Sequence, residues 1–411
     1  MARENKAQLS SSPLARPECL AHQLAAEVQD YLHFPDPSPL YVVLGAIAAN
    51  MMTGPEVWLM LVGPPSSGKT KILMSMTGIP GVHVVDDLSG PGALLSGVAQ
   101  KDFEKGASGG ILRKAGPRGC LVMEDYTSSV MDLPRETRKQ ILAAFRGMSK
   151  GRWSRDVGTG GHRSLVWEGK MQLLAGGTTS VDRLSTEAGA SALGERWIYY
   201  RMPQTDGYGE ARTSLQNTNP NISALSMRDA VRAFFEVLDL RWPCQITGDY
   251  ACKIKHEHYP ECERRQFTVA EYSKLIGMAT LCARMRSGVY RHPYSREIED
   301  IPMPESPPRL ANAFGQLYLG LEAIGLNQAE RWILVSKVAL DSVPEVRMRV
   351  VRACAKGSAS IKELVSLLGC SESSVRRVVE DLEAHQVVQW GSQVVQLTSQ
   401  TSEELRRCFT I

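Results

Sequence analysis

One eight-residue stretch constrains this chain more than any other: Gly63-Pro64-Pro65-Ser66-Ser67-Gly68-Lys69-Thr70. It satisfies the pattern G-x-x-x-x-G-K-[ST] at every fixed position. Glycines at both ends let the backbone curl until successive N–H groups point inward at phosphate oxygens. The lysine then reaches the β and γ phosphates, and the Thr70 hydroxyl serves Mg²⁺. The flanks agree. "VWLMLV" reads as an apolar strand entering the loop, and "TKILMSM" as a helix leaving it, which sets a helix N-terminus at the phosphates. These residues imply a bound nucleoside triphosphate, ATP in the simplest case.

Such a site needs an acid at the end of a neighbouring strand. "GCLVMEDYTSS" supplies two: Leu121, Val122 and Met123 form the strand, and Glu124 and Asp125 follow. One would hold the Mg²⁺ shell through water, and the other would orient or deprotonate an attacking water.

From about residue 37 to 206 the pattern alternates strands with helices, which predicts an α/β sheet. Before it, residues 1–36 read as a polar tail and the helix "ECLAHQLAAEVQDYL", with Leu20, Leu24, Val28 and Leu32 at helical spacing. "LYVVLGAIAANMM" reads as a buried helix. Residues 207–338 read as a helical lid and linker, with helices expected over 222–241 and 267–287. Residues 339–411 change character to short helices and a hairpin, the pattern of a winged helix. "VPEVRMRVVRACAKG", "SIKELVSLLG" and "CSESSVRRVVEDLEAHQ" form its helices, with Ser371 as N-cap of the third. "VVQWGSQVVQL" forms its hairpin, turning at Gly391-Ser392. Val375, Val378, Val379 and Leu382 would pack the third helix on its core. Ser373, Ser374, Arg376 and Arg377 would face a DNA major groove. Residues 343–399 hold seven basic and six acidic side chains, so the unit is nearly neutral, and a protein-docking role stays open beside a DNA role.

The order of features between residues 40 and 205 resembles the AAA+ superfamily, and within it the helicase clade that includes the minichromosome maintenance proteins. "LSGPGALLSG", "GGILRKAGPRGCLVMEDY", the long stretch from "RETRKQILAAFRGM" to "MQLLAGGTT", and "SALGERWIYYRMP" carry the likeness. The resemblance implies a P-loop AAA+ core in which Lys69 and Thr70 bind phosphate and Mg²⁺. Glu124 and Asp125 take the Walker B pair. Thr178 stands at sensor 1, Arg196 is an arginine finger for a neighbouring subunit, and Arg309 is sensor 2. An arginine finger in trans implies a homo-oligomer, as a hexameric ring or spiral. Two positions depart from the clade: the acids come as Glu then Asp, which leaves open which is the base, and Thr178 replaces the usual Asn.

A second candidate for nucleic acid is "SKGRWSRDVGTGGHRSLVWEG", read as a hairpin with Arg152, Arg155 and Arg163 on its arms and Trp153 among them. Cations with an aromatic plane suit a strand-tracking loop. "CQITGDYACKIKHEHYPEC" gathers Cys244, Cys252, His256, His258 and Cys262, ligand types suited to zinc, although without a C-x₂-C spacing.

The bulk numbers narrow the classes. A net charge of +3 is close to balance, so DNA contact must come from local patches. No apolar run reaches the ~18 residues of a membrane span. The nine cysteines are scattered, which fits a reducing, cytoplasmic setting rather than a disulfide scaffold. The expectation is a DNA-dependent ATP hydrolase of AAA+ type, a helicase, translocase or remodelling motor of a mobile or phage-like replicon. The alternatives are an ATP-controlled DNA-binding regulator and a protein-remodelling or loader ATPase.

Overall fold

The computed structural model describes residues 17–29, 31, 36–85, 88–97, 109–157, 163–185, 196–203, 207–216, 219–238 and 265–409. At its centre is a five-stranded sheet of β1 (Trp58–Val62), β2 (Val82–Val84), β3 (Arg118–Met123), β6 (Lys170–Gly177) and β7 (Trp197–Arg201). The order is β2-β3-β6-β1-β7, and all four pairings are parallel. β1 is buried on both faces, as an internal parallel strand must be. Its alternation splits the core in two: Leu59 and Leu61 join one apolar cluster, and Trp58, Met60 and Val62 the other.

On the first face lie α1 (Pro17–Gln29), α2 (Ser38–Met51), α3 (Lys69–Ser75) and α8 (Pro220–Leu238), which follows α7 (Gly207–Gln216). On the second lie α4 (Pro91–Leu94), α5 (Ile111–Ala115) and α6 (Arg135–Met148), with the hairpin β4 (Arg152–Val157) and β5 (Arg163–Glu168). The helix expected over 222–241 is α8, and that expected over 267–287 is α9 (Val269–Arg286).

After α9 come a small ribbon, β8 (Tyr290–Arg291) and β9 (Ile298–Asp300), then α10 (Pro308–Ala323) and α11 (Gln328–Asp341). α10 runs antiparallel to α2 at very close range, because Gly45 and Gly320 carry no side chain where the two helices touch. The buried Gln316 side chain ties them, its Nε2 donating to the carbonyls of Ala49 at 2.8 Å and Thr53 at 2.9 Å. α11 packs along β7, where the backbone N–H of Tyr199 donates to Ser342 Oγ at 2.9 Å.

The C-terminal unit comprises α12 (Glu345–Lys356), β10 (Ala359–Ser360), α13 (Ile361–Leu368), α14 (Glu372–Ala384), β11 (Val388–Gly391), β12 (Val394–Leu397) and α15 (Ser399–Cys408). Its apolar residues, Val375, Val379 and Leu382 among them, belong to the same cluster as the first face of the sheet. The hairpin turn differs from expectation. Gly391 is still paired with Val394, and Ser392 and Gln393 make the turn at φ 51° and 71°. Two successive positive φ values are what a type I′ turn needs to match the strand twist. No helix among the described residues is long and apolar enough to cross a membrane.

Candidate functional site

Parallel strands bring their carboxyl ends to one edge, and the strand order reverses at β1, where such sheets form a crevice. The loop 63–68 leaves β1 there. The backbone N–H of Gly63 donates to the carbonyl of Gly177 at 3.0 Å, pinning the loop to the end of β6. A Cβ on Gly63 would stand 2.9 Å from the Met202 Cβ and 3.1 Å from Ser67 Oγ, so any side chain here would force its neighbours to shift. Ser66 at φ 64° and Gly68 at φ 80° curl the chain into α3. Pro64, Pro65, Ser66 and Thr70 are exposed, whereas Lys69 is buried. Its ammonium donates to the carbonyls of Gly63 at 2.9 Å and Pro64 at 2.6 Å, and to Ser67 Oγ at 3.2 Å. Burial pushes the Lys69 pKa down, and the charge of Asp125 opposes that shift.

Glu124 and Asp125 leave β3 at the same edge, both exposed. Asp125 Oδ1 accepts from the Thr127 backbone N–H at 2.9 Å, which fixes the carboxylate at the start of a π-turn over Thr127–Met131. β6 lies between β1 and β3, so Thr178 emerges between the loop and the acids. The Thr178 Oγ1 lies 2.6 Å from Ser180 Oγ and 3.4 Å from Thr127 Oγ1. Lys69, Thr70, Asp125, Glu124 and Thr178 therefore share one edge of the sheet. Thr127 and Ser180 join this hydroxyl cluster without having been singled out in the sequence. The aspartate two residues before Thr127, a common turn signal, could have pointed to the first of them.

Other candidates lie elsewhere. Arg196 precedes Trp197, which pairs in register with Trp58, so Arg196 sits at the amino edge. That is six strand residues, about 20 Å, below Gly63. Its charge, with that of Lys170, offsets the upward push that burial gives the Glu56 carboxyl. Arg309 is exposed at the start of α10, 3.4 Å from Glu305. Gln316 of that helix meets Ala49 and Thr53 near the amino end of β1, and Arg309 stands about two turns further from the loop. The structure does not bring Arg309 to the phosphate cradle.

The basic hairpin also differs from expectation. Trp153, Arg155 and Val157 share one face by strand alternation, and that face turns inward. Trp153 packs against Gly147 of α6, and cross-strand Trp167 is buried with Nε1 donating to Gly116 O at 3.0 Å. Trp153 is therefore half-buried against α6 rather than projecting from the hairpin. Arg155 Nη1 donates to Leu95 O at 3.0 Å. Arg152 is on the outer face, paired with Glu168 at 2.9 Å. Arg163 begins β5 opposite Val157. The Gly158–Gly161 tip, His162 and the Cys244–Cys262 cluster lie outside the described residues. Among the described residues no group of three or more His, Cys, Asp and Glu could hold a metal.

In the C-terminal unit, Ser371 caps α14, its side chain accepting from the Ser374 N–H. Ser373, Arg376 and Arg377 are exposed on its first turns. Arg376 pairs with Glu372 at 2.7 Å and lies over the Trp390 ring of the wing, 5.4 Å from its centroid. Residues 346–385 match the helix-turn-helix domain family. They span α12, α13 and α14, so the chain carries a C-terminal helix-turn-helix unit, here with a three-stranded wing. A comparison with curated proteins finds no match. Among solved structures, a candidate ATPase from Cytophaga hutchinsonii superposes with a TM-score of 0.42 at 10% identity, covering 80% of this chain and 86% of that one.

The helix-turn-helix unit is fixed to the rest of the molecule by buried charge. Arg347 donates to the carbonyls of Met285, Arg286 and Ser287 and to Asp381 Oδ2 at 2.7 Å. Arg291 of the ribbon reaches Glu380 and Asp381, each at 2.7 Å. His385 Nε2 lies 3.0 Å from Gly288 O, and Arg284 pairs with Glu404. These contacts hold the rear of α14 and leave its first turns outward.

Proposed function

We propose that the chain is an ATP hydrolase that binds DNA through its helix-turn-helix unit. The observation that carries this is the complete phosphate-loop pattern at the carboxyl edge of a parallel sheet, with Asp125 and Thr178 on adjoining strand ends. The donor set fits a triphosphate: a loop curled at Ser66 and Gly68, a buried ammonium, a hydroxyl at Thr70 and two exposed acids. Lys69 would exchange its loop carbonyls for phosphate oxygens. Thr70 and Asp125 would hold the Mg²⁺ shell, Asp125 because its carboxylate is fixed by the turn and its charge bears on Lys69. Glu124 would draw the proton from the attacking water, and Thr178 would orient that water. Mg²⁺, when bound, would neutralise charge developing on the phosphate oxygens.

Arg196, a strand length below its own loop, could serve only the loop of another copy, which supports an oligomer built head to tail. On DNA, the first turns of α14 present Ser373, Arg376 and Arg377 for a major groove, with Trp390 beneath Arg376.

Within this reading the sequence favours a DNA-tracking motor. One observation favours the alternative, a nucleotide-controlled DNA-binding regulator: Trp153 and Arg155 of the hairpin are turned into the protein. Fluorescent-nucleotide binding and steady-state hydrolysis test the core proposal, with wild type active and Lys69→Ala inactive. Equal turnover in both would refute the site.

A further inference from the structure

One carboxylate near the nucleotide edge has no part in the site chemistry described above. Asp182 lies in the 3₁₀ helix Thr179–Ser185, four residues beyond Thr178. Its Oδ1 accepts from Nη2 of Arg201 at 2.7 Å, and its Oδ2 accepts from the backbone N–H of Glu345 at 3.1 Å. Glu345 is the first residue of α12, hence of the helix-turn-helix unit. A carboxylate at a helix N-terminus is held by both the free amide and the helix dipole.

Arg201, at the end of β7, grips the same junction. Its Nε donates to Asp341 O and its Nη2 to Val343 O, both at 3.0 Å, and its Nη1 lies 3.7 Å from the Glu345 carboxylate. The Asp182 and Arg201 side chains are 21% and 14% exposed, so water screens the pair only in part. By chain, Thr178 and Glu345 are separated by α7 through α11; through Asp182 they are joined by one short helical turn.

We infer that Asp182 couples the nucleotide site to the helix-turn-helix unit, moving the start of α12 when Thr178 changes partner. The inference rests on the ATP reading of the loop. Thr178 Oγ1 is bonded to Ser180 Oγ at 2.6 Å. A phosphate-bound water that takes the Thr178 hydroxyl competes with Ser180. The turn between them is too short to absorb the shift, so it passes to Asp182, which bears on both Arg201 and the Glu345 amide. By linkage, DNA on α14 would bias the nucleotide site equally.

Hydrogen–deuterium exchange on the full chain tests this, with Mg²⁺ and a non-hydrolysable ATP analogue as probe. In wild type the analogue should alter exchange over residues 178–185 and also over 343–350. Asp182→Asn leaves one acceptor oxygen and turns an NH₂ toward a donor. This variant should bind the analogue as wild type does, keep the change at 178–185 and lose it at 343–350. Asp182→Glu should restore part of it. If Asp182→Asn melts early, Arg201→Lys gives a second route, since it keeps the charge and loses the forked grip; the same loss is expected. A wild type that binds the analogue with no change over 343–350 overturns the inference, as do variants that still transmit the full change. A wild type that fails to bind the analogue overturns the ATP reading beneath it, and the inference falls with that reading.

Discussion

At the carboxyl edge of the sheet, Glu124 and Asp125 stand exposed and the Lys69 ammonium meets neutral loop carbonyls and a hydroxyl. At the joint behind α14, Arg291 and Arg347 both pair with Asp381, and all three are largely buried. The first region keeps its charges available to something outside the chain. The second uses them up internally, which fixes one geometry at a desolvation cost. A ligand site and a rigid joint can thus be told apart by whether their charges are satisfied.

The largest effect that would break this contrast is at Lys69. Lys69→Ala should reduce ATP hydrolysis on the order of 10²–10³-fold, with little change in melting temperature, since its partners are neutral loop groups and none is a carboxylate left without its counter-charge. A large stability loss would place Lys69 with the structural charges instead. Next is Arg347→Ala, which takes the buried donor from three carbonyls and leaves Asp381 with Arg291 as its remaining arginine partner. Denaturant unfolding should show a loss of about 3–5 kcal/mol, and a loss under about 1 kcal/mol would mean the joint is loose.

Gly63→Ala should be milder. Its new methyl would press on Met202, a strain of about 1–3 kcal/mol if the loop holds its shape. Weaker nucleotide binding with near-normal folding is the expected reading from titration. The smallest effect concerns acid. The Arg265 guanidinium, hydrogen-bonded to Glu271, holds that carboxyl down to about 2 from its ordinary 4.5. A depressed folded value means the contribution to stability is complete above about 4.5 and fades as pH falls toward about 2. Thermal melts should therefore show Glu271→Gln costing stability at neutral pH and costing nothing near pH 2; an equal cost at both would remove the charge from the account.

Local pattern carried much of this. The phosphate loop, the alternation around Leu121–Met123 and the spacing in α12–α14 are short-range signals, and each forms the element it predicts. What failed was facing and reach. The basic residues and Trp153 marked a hairpin, but nothing local said that α6 and the carbonyl of Leu95 lie against the side of β4 that carries Trp153 and Arg155. The turn at Ser392-Gln393 was read one residue early, because glycine is the usual residue at positive φ and here two others adopt it. Sensor 2 at Arg309, in the opening turn of α10, was implied by the AAA+ resemblance, and only the antiparallel contact of α10 with α2 shows which way that helix points. Asp182 carried no signal, since its partners lie far along the chain.

The most direct test is steady-state ATP hydrolysis by the full chain, with and without duplex and single-stranded DNA, at low and moderate salt. The account predicts hydrolysis that needs Lys69, changes on adding DNA, loses that response as salt rises, and loses it as well in the Arg376→Ala, Arg377→Ala variant. Hydrolysis indifferent to Lys69, or to every DNA at every salt, would contradict it.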